Sequence, residues 1–523
     1  MKNIKEIEKI ISYKKTYINK IKIIILILSG TSHFLSCCQP LLTKPPNFTC
    51  YDKENNIIKC DSETICYNKD INRFIKNPSS IDNFSYKFDL YCNKKYFIGL
   101  FGTCYFFGAM IGSVLIAPLV DKYGRERVFK ILIFLTLILN LNLIFVINPI
   151  HLTIIFLLVG KINYAKHLCN VLLSEFSYGK HVGFAISLSN SMFPILGIIV
   201  GIYYKLFNNL IIILIIVNIL VFSILILSFK YIVESPLWLI SQKRYSDTYK
   251  SLKFIADINE YDINNSKENL QIIFPIENEF NQNNNSYNKI INETNENINN
   301  KLDNKENEEN IFKDNNNNNN EKLFYNYYDI LCMKSIQKVL YIMLFIGFSS
   351  SFSYYGLLLS LTSLKGDFYF NYFSNFIAET ISLLLSGFIS DKIGRKITLQ
   401  IFSFIAGMIF IIYKILPEKI QEFSPYFVFV ISFCINAAYN VQTILSNEIF
   451  NANIKGSCIG LINIIGNLAS TIVPSLVNII NWSQFIFGVF LIISALLISF
   501  IEEKNNEDKE EKKENLIEIQ NKL

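Results

Sequence analysis

Two short stretches of the sequence place an aspartate, a glycine and an arginine at the same spacing, directly after an apolar run. The first is APLVDKYGRER at 117–127 and the second is GFISDKIGRK at 387–396. Such groups can cap helices and form ion pairs, and a small residue lets two helices approach closely. A role in membrane orientation alone would explain the basic residues but not the repeated Asp and Gly. We interpret both stretches as gating turns that latch one state of a helical bundle, formed by Asp121, Gly124, Arg125, Gly387, Asp391, Gly394 and Arg395.

A pair of glutamates repeats at nearly the same distance as the two turns. Asp121 and Asp391 lie 270 positions apart (391 − 121), and Glu175 and Glu448 lie 273 positions apart (448 − 175). Each of these glutamates precedes a glycine by eight residues. Two matched landmarks indicate an internal duplication, the pattern of transporters built from two six-helix repeats. We therefore assign Glu175 and Glu448 to the gating motif.

The composition is that of a membrane protein. Of the 523 residues 51% are hydrophobic, 18% are charged and 44 are phenylalanine, which is too apolar for a soluble protein of several domains. The net charge of +6 comes from basic residues that flank apolar runs, so it indicates membrane orientation and no nucleic-acid partner. The sequence carries no Walker loop, catalytic triad or cluster of metal ligands. We expect a protein that is not an enzyme and needs no metal, cofactor or ATP.

About twelve windows are long and apolar enough to cross a bilayer, which takes roughly 20 residues. The predicted fold class is an all-α polytopic membrane protein, with twelve transmembrane helices in two pseudo-symmetric six-helix bundles at 23–233 and 339–501. The first six predicted spans are 23–42, 96–120, 128–148, 152–174, 184–204 and 210–233. The second six are 339–361, 370–390, 397–416, 426–447, 458–480 and 485–501.

The segments outside the bundles differ in composition. Residues 1–22 are basic, and their isoleucines at helical spacing fit either a helix lying on an anionic membrane surface or a solvated tail. Residues 234–338 begin with a short amphipathic helix capped by Ser235 and continue into an Asn-rich linker at 259–320, which we predict to be disordered. Residues 502–523 form a charged tail.

Basic residues set the predicted orientation. The N-terminus and both gating turns are short and basic, which places them in the cytoplasm, and an even number of spans places the C-terminus there too. The segment 43–95 then faces outward, and N-glycans are predicted at the sequons of Asn47 and Asn83. Disulfides are predicted within this segment, and two cysteines at its membrane edge can join them. The four cysteines of the segment are Cys50, Cys60, Cys66 and Cys92, and the two at its edge are Cys37 and Cys38.

The second turn matches every position of the loop motif Gly-x-x-x-Asp-Arg/Lys-x-Gly-Arg-Arg/Lys, and in this the chain resembles the major facilitator superfamily. The first turn departs from the motif at Ala117 and Glu126. The resemblance implies two six-helix halves that rock about a site at the middle of the membrane. It also implies a multi-pass protein of the plasma membrane that carries a small organic solute across the lipid bilayer.

Three further stretches resemble the organic-ion branch of that superfamily, which includes organic cation, organic anion and carnitine carriers. They are FDLYC at 88–92, ESPLWLI at 234–240 and YYGL at 354–357. Sugar and polyol carriers share the loop motif and the Glu-Ser-Pro element but usually lack so long an outer loop, and they are the alternative. A nutrient sensor with the same fold is a second alternative, favoured by Glu126 at a basic position of the first turn.

An ionisable residue at mid-membrane predicts a functional site, because exposing it to lipid costs at least about 2.5–3.5 kcal/mol. Glu379 lies near the centre of the eighth span, where the organic-ion branch often carries an acid; a structural ion pair or hydrogen bond is the alternative. Asn467 stands where, by resemblance, cation carriers tend to place Asp and anion carriers Arg. We expect an organic cation or zwitterion as substrate, since Glu379 is the best-placed charge.

Other polar and aromatic residues are predicted to line the same cavity. The fourth span is unusually polar, the tenth carries an asparagine stripe, and two adjacent tyrosines of the seventh could offer ring faces to a cation. Hydrogen bonding between helices is the alternative for the asparagines, and packing for the rings. The predicted substrate-binding residues besides Glu379 and Asn467 are Tyr354, Tyr355, Lys161, Lys166, Asn163 and Asn440.

Overall fold

The computed structural model describes residues 10–11, 14, 16–32, 34–54, 56–58, 60, 64–67, 71, 73–163, 165–176, 181–242, 244–261, 330–450, 452–480 and 482–501. Of the predicted linker at 259–320 only residues 259–261 are described, and the predicted tail at 502–523 is outside the described residues.

The first predicted span is built from three consecutive helical pieces. They are α1 (Thr16–Ser32), α2 (Phe34–Cys37) and α3 (Gln39–Thr43). Pro40 lies in the first turn of α3, where a missing N–H costs no intrahelical hydrogen bond. Between α2 and α3 the backbone hydrogen bonds continue, because the Cys38 N–H donates to the Phe34 carbonyl at 3.0 Å and the Cys38 carbonyl accepts from Leu42 at 2.9 Å.

The described residues of the N-terminal segment pack against the rest of the protein. Neither predicted arrangement, a helix lying on the membrane surface or a solvated tail, describes them. Ile10 and Ile11 are fully buried. The side chain of Asn259 donates from Nδ2 to the carbonyls of Ile10 (3.0 Å) and Ile11 (3.1 Å), and its Oδ1 accepts from the N–H of Tyr17 at 2.9 Å. A single buried amide thus ties residues 10, 11 and 17 to the last residue of the helix that ends at Asn259.

A small β-sheet domain lies between α3 and the first long helix. Strands β1 (Phe48–Tyr51), β2 (Ile57–Ile58) and β3 (Arg73–Lys76) form an antiparallel sheet in the order β2-β1-β3, accompanied by helices α4 (Thr64–Tyr67) and α5 (Phe84–Phe88). A domain of this size buries little apolar surface, so covalent cross-links contribute much of its stability. The sheet departs from the all-α class over this one described segment.

The structure joins the four cysteines of this domain in two disulfides. Cys50 is bonded to Cys60 and Cys66 to Cys92. Cys37 and Cys38 remain free and buried, so they do not join these bonds as the sequence allowed. We call the end of the molecule that carries this domain the disulfide side, and the opposite end, which carries the two gating turns, the turn side.

The remaining helices form two sets. The first half continues with α6 (Tyr96–Tyr123), α7 (Arg125–Ile144), α8 (Pro149–Ile162), α9 (Ala165–Phe176), α10 (His181–Leu206), α11 (Leu210–Tyr231), α12 (Pro236–Ser241) and α13 (Tyr245–Asn259). The second half contains α14 (Lys334–Ser360), α15 (Phe368–Ile393), α16 (Arg395–Ile415), α17 (Glu418–Gln421), α18 (Ser424–Ile449), α19 (Ala452–Ile479) and α20 (Ser483–Ile498).

Each of the twelve predicted spans is helical over most of its described residues. Within the described residues, 9 helices are long and apolar enough to cross a membrane, and α8 and α20 are shorter apolar helices. The described helices of the first span are α1, α2 and α3, and those of the fourth are α8 and α9, with the C-cap of α8 at Asn163, whose N–H donates to the Gly160 carbonyl at 3.0 Å. Two sets of six spans result, as the duplicated landmarks predict.

Glycines bring α6 and α8 into backbone contact. A Cβ added at Gly108 would lie 2.1 Å from the carbonyl oxygen of Leu157, and one at Gly112 would lie 2.0 Å from that of Lys161. On the other helix, a Cβ at Gly160 would lie 2.0 Å from the carbonyl oxygen of Tyr105. This is the close packing that the Gly-x-x-x-Gly spacing at 108–112 permits in a membrane. It fixes the end of α8, and with it Lys161, against α6.

The structure contradicts the predicted N-glycan at Asn83. This residue is fully buried and caps α5, its Oδ1 accepting from the N–H of Tyr86 at 2.8 Å. Its Nδ2, the atom that would carry a glycan, donates to the carbonyls of Leu41 (2.8 Å) and Lys44 (2.9 Å). Asn83 therefore connects the β-sheet domain to the end of the first span. Asn47 is exposed and stays a predicted glycan site.

Glycan mapping in a eukaryotic secretory host tests this difference. We expect Asn47→Gln to remove a glycosidase-sensitive gel shift and Asn83→Gln to leave the shift unchanged. Asn83→Ala should lower the apparent melting temperature, because it removes a helix cap worth about 1 kcal/mol and leaves two buried carbonyls unpaired. A shift lost on Asn83→Gln would contradict the assignment.

Candidate functional site

Among the described residues, contacts between the two halves lie toward the disulfide side. A Cβ at Gly102 of α6 would lie 2.7 Å from the ring of Pro474 in α19, and the Thr103 hydroxyl donates to the carbonyl of Thr471 at 3.1 Å. Deeper along the same pair of helices, Asn467 Nδ2 lies 3.5 Å from Ser113 Oγ. The halves are therefore closed together on this side.

A second pair of helices closes the same side. Gly197 of α10 faces the ring of Phe376 in α15, and a Cβ there would lie 2.9 Å from it. Gly201 similarly faces Tyr372, at 2.8 Å. The Lys44 ammonium lies 4.1 Å from the centre of the Phe368 ring, and burial lowers the pKa of this lysine although nearby Asp367 opposes the shift. Aromatic rings of the second half thus fill gaps left by glycines of the first.

Glu379 is the buried charge of the site. Its side chain is 4% exposed on α15, and the Tyr354 hydroxyl of α14 donates to its two carboxylate oxygens at 3.0 and 3.2 Å. The Tyr355 ring meets the Tyr354 ring edge-on, with centroids 4.8 Å apart. Phe106, from the first half, lies 4.3 Å from Tyr355 by ring centroids. The structure therefore places three predicted residues together, at the boundary between the halves.

The lysines and asparagine of the fourth span lie around its interruption. Lys161 is exposed at the C-terminal end of α8, where the helix dipole favours a cation. The side-chain oxygen of Asn163 is buried and accepts no hydrogen bond from the described residues. Lys166 lies in α9, and its side chain is outside the described part of the structure. No described contact joins these residues to Glu379.

Asn440 bridges two helices instead of standing alone in the cavity. Its Nδ2 donates to Ser386 Oγ at 2.8 Å, which links α18 to α15. The same two helices are joined by Ser382 donating to the Phe433 carbonyl at 2.7 Å and by Ser432 donating to the Asn375 carbonyl at 2.9 Å. Asn440 thus makes the helix-bridging hydrogen bond that the sequence left as the alternative, whereas Asn436 and Asn447 bond to carbonyls of their own helix.

The first gating turn is held by a residue that the sequence analysis did not select. Gly124 has φ +99°, and a Cβ there would lie 2.1 Å from Glu234 Oε2. The Glu234 carboxylate accepts from the N–H groups of Arg125 (2.8 Å) and Glu126 (3.2 Å), at the N-terminus of α7. Burial raises the pKa of Glu234, and these N–H groups oppose the shift. The sequence signal that could have identified Glu234 was its position directly before the predicted helix cap, Ser235. In the structure Ser235 does cap α12.

Arg125 completes this turn. Its Nε lies 3.2 Å from Glu175 Oε1, with both side chains mostly buried. Glu126 pairs with Lys130 one helical turn later, so the acid at a basic motif position is neutralised locally. The side chain of Asp121 lies outside the described part of the structure.

The second gating turn repeats the first in a more open form. Gly394 has φ +101°, and Arg395 lies 2.6 Å from Asp391 and 3.4 Å from Glu448, whose side chain is 40% exposed. A Cβ added at Gly387 would meet nothing within 4 Å. The close helix approach predicted for this glycine is therefore not made in this conformation, in which the halves meet on the other side.

Comparison with known proteins places this geometry in one family. The family model described as Major Facilitator Superfamily matches residues 91–474 and, in a second match, residues 339–521. Organic cation/carnitine transporter 2 of Mus musculus is 21% identical over 427 residues, covering 80% of this chain and 68% of that protein. Solute carrier family 22 member 2 of Oryctolagus cuniculus is 22% identical over 420 residues, covering 78% and 67%.

A solved structure shares the fold. The xylose transporter XylE from E. coli, in an inward open conformation, superposes with a TM-score of 0.55 at 14% identity, covering 94% of this chain and 97% of that one. The predicted fold class, two bundles of six spans, is confirmed.

The glutamates of the two turns should contribute differently to the stability of the protein. We expect Glu234→Ala to lower the apparent melting temperature of the detergent-solubilised protein clearly more than Glu448→Ala. Loss of Glu234 leaves several part-buried N–H groups without an acceptor, at about 1–3 kcal/mol each. Loss of Glu448 removes a half-exposed ion pair worth roughly 0.2–1 kcal/mol.

Glu234→Gln is the matched control and should fall between wild type and Glu234→Ala, since it keeps one acceptor oxygen. Equal melting temperatures for Glu234→Ala and Glu448→Ala would show that Glu234 does not hold the first turn.

Proposed function

Because the chain belongs to the Major Facilitator Superfamily, we propose that it carries a small organic cation or zwitterion across a membrane by alternating access of its two halves. The observation that carries this proposal is the buried Glu379 carboxylate, hydrogen-bonded by Tyr354 and bordered by aromatic rings at the boundary between the halves. Relatives named organic cation/carnitine transporters support the substrate class.

A buried carboxylate favours a cationic partner for electrostatic reasons. Removing a charge from water is costly unless another charge or hydrogen bonds compensate it. The Tyr354 hydroxyl donates to the Glu379 carboxylate, and a substrate cation bound beside this carboxylate would compensate its charge electrostatically. A ring face in a water-excluded site adds about 2 kcal/mol for a cation, and Tyr355 and Phe106 offer such faces.

The other predicted residues take secondary places in this proposal. Asn467 lies on the second half and approaches Ser113 of the first, so this contact must change when the halves move. Lys161, Lys166 and Asn163, around the interruption of the fourth span, would meet the anionic group of a zwitterion. Asn440 would act by holding α18 against α15, since its amide donor is already used.

The gating turns would latch the state in which the turn side is closed and the disulfide side is open. In the described conformation the halves meet on the disulfide side and Gly387 has free space beside it. Closing the turn side would bring a helix of the first half toward Gly387, while Arg125 and Arg395 stay anchored to Glu175 and Glu448. Short basic loops on the turn side support a cytoplasmic position for it and for both termini, in a plasma-membrane protein.

The alternative functions receive less support. The likeness to a xylose transporter shows the fold alone, at 14% identity. The sensor alternative rested on Glu126 disturbing the first turn, and the Lys130 partner removes that reason. Uptake measurements distinguish both alternatives from the main proposal.

Uptake into vesicles reconstituted with the full chain tests the main proposal. We expect saturable uptake of a labelled quaternary ammonium or carnitine-like zwitterion, and no uptake of labelled hexoses. Hexose uptake without cation uptake would support the sugar carrier instead. Binding of the tracer without flux would support a sensor.

Substitutions of the buried pair test the site itself. Glu379→Gln should reduce kcat/KM for a cationic tracer at least about 30-fold, because losing one partner of a buried charge pair costs roughly 2–5 kcal/mol. Tyr354→Phe should cost less, within the roughly 1.5–3 kcal/mol of a hydrogen bond to a charged group. Tyr413→Phe, a tyrosine elsewhere in the second half, is the matched control. Unchanged cation uptake by Glu379→Gln would refute the assignment.

A further inference from the structure

Two adjacent cysteines lie at the joint between α2 and α3, and the proposed transport mechanism does not use them. Cys37 and Cys38 are both fully buried free thiols, and their sulfur atoms are 3.3 Å apart. The backbone stays helical through the joint, because Cys38 N–H donates to the Phe34 carbonyl at 3.0 Å and Leu42 N–H to the Cys38 carbonyl at 2.9 Å. The fold therefore holds two thiols side by side.

The pair lies on the face that the first half turns toward the second. Cys37 and Cys38 belong to the same buried cluster as Tyr372 and Phe376 of α15, and α3, which begins next to Cys38, packs against α14. Access to the thiols from the disulfide side requires the halves to separate there.

The sulfur separation favours one kind of ligand. A disulfide bond would need the sulfurs at 2.03–2.05 Å, more than 1 Å closer than they lie. A trivalent pyramidal atom can bond to both sulfurs at once. The two sulfurs then occupy adjacent corners of the pyramid and are not bonded to each other. Thiolates are soft ligands that suit such thiophilic centres. Of the free cysteines in the described chain, Cys37 and Cys38 are the two whose sulfurs touch.

We propose that Cys37 and Cys38 form a dithiol site for trivalent arsenicals, reached when the two halves separate on the disulfide side. An organic arsenoxide, R–As=O, condenses with both thiols. Two As–S bonds form, the arsenic–oxygen bond breaks, and the oxygen leaves as water with the two thiol protons. Arsenic stays trivalent throughout, so no oxidant or reductant is needed.

Occupancy of this site blocks closure of the disulfide side. The bridged pair adds the organic group of the arsenical to a position that is fully buried in the described conformation, where there is no room for it. The two halves then cannot return to the described conformation, and alternating access stops.

The test uses the full-length protein and phenylarsine oxide. Intact-mass measurement should show one phenylarsine adduct per chain, with loss of one water, and peptide mapping should assign it to the fragment containing Cys37 and Cys38. Excess 2-mercaptoethanol should leave the adduct in place, whereas 2,3-dimercaptopropanol should remove it, because only a dithiol competes with a chelating pair.

Cys37→Ser and Cys38→Ser should each lose the chelated adduct. Cys434→Ser, which changes a buried thiol with no described thiol neighbour, should keep it. The proposal is overturned by no adduct on the wild type, by an adduct mapped elsewhere, or by release with the monothiol. Mapping on the wild type decides the matter even where a serine variant fails to fold, and the mass measurement does not depend on any transport activity.

Discussion

The structure is organised around one buried carboxylate, which must be compensated in a low-dielectric interior. Glu379 is almost fully buried and Tyr354 donates to both of its oxygens. Hydrogen bonds from a phenol stabilise the charge, and a cation bound beside it would stabilise it further. Because Phe106 reaches this site from the other half, any change in how the halves meet changes what surrounds the charge.

Fixed and moving interfaces use different chemistry. Within the second half, α15 and α18 are joined by repeated hydrogen bonds through Ser382, Ser432 and Asn440. Between the halves, glycines such as Gly197 and Gly201 receive aromatic rings of α15. Separating a ring from a glycine surface leaves no unpaired polar group in the membrane, whereas separating buried hydrogen bonds would leave several. The glycine–ring part of the interface between the halves can therefore open at lower cost than its hydrogen bonds, such as the one from Thr103 to the Thr471 carbonyl.

The sequence predicts the topology well because spans and turns carry strong local signals. Apolar length predicted all twelve spans, and the spacing of Gly124 and Gly394 identified two turns whose positive φ values only glycine adopts easily. Partnerships between distant residues have no such signal. Asn83 looked like a glycan site because a sequon does not reveal burial, and Glu234 was missed because its N–H donors lie more than 100 positions away. The polar fourth span likewise gave no hint of its interruption.

Hydrogen bonds join elements of the first half on the disulfide side and on the turn side. These contacts allow the first half to move as a unit. On the disulfide side, Asp82 accepts from the N–H of Leu210 at 2.9 Å and so ties the β-sheet domain to the start of α11. On the turn side, Asn259 holds the N-terminal segment and Glu234 holds the start of α7. Each of these contacts joins elements within the first half, and none of them crosses to the second. Rocking can therefore leave all three intact, so that motion concentrates at the contacts between the halves, which include the glycine–ring contacts and the hydrogen bond from Thr103 to the Thr471 carbonyl.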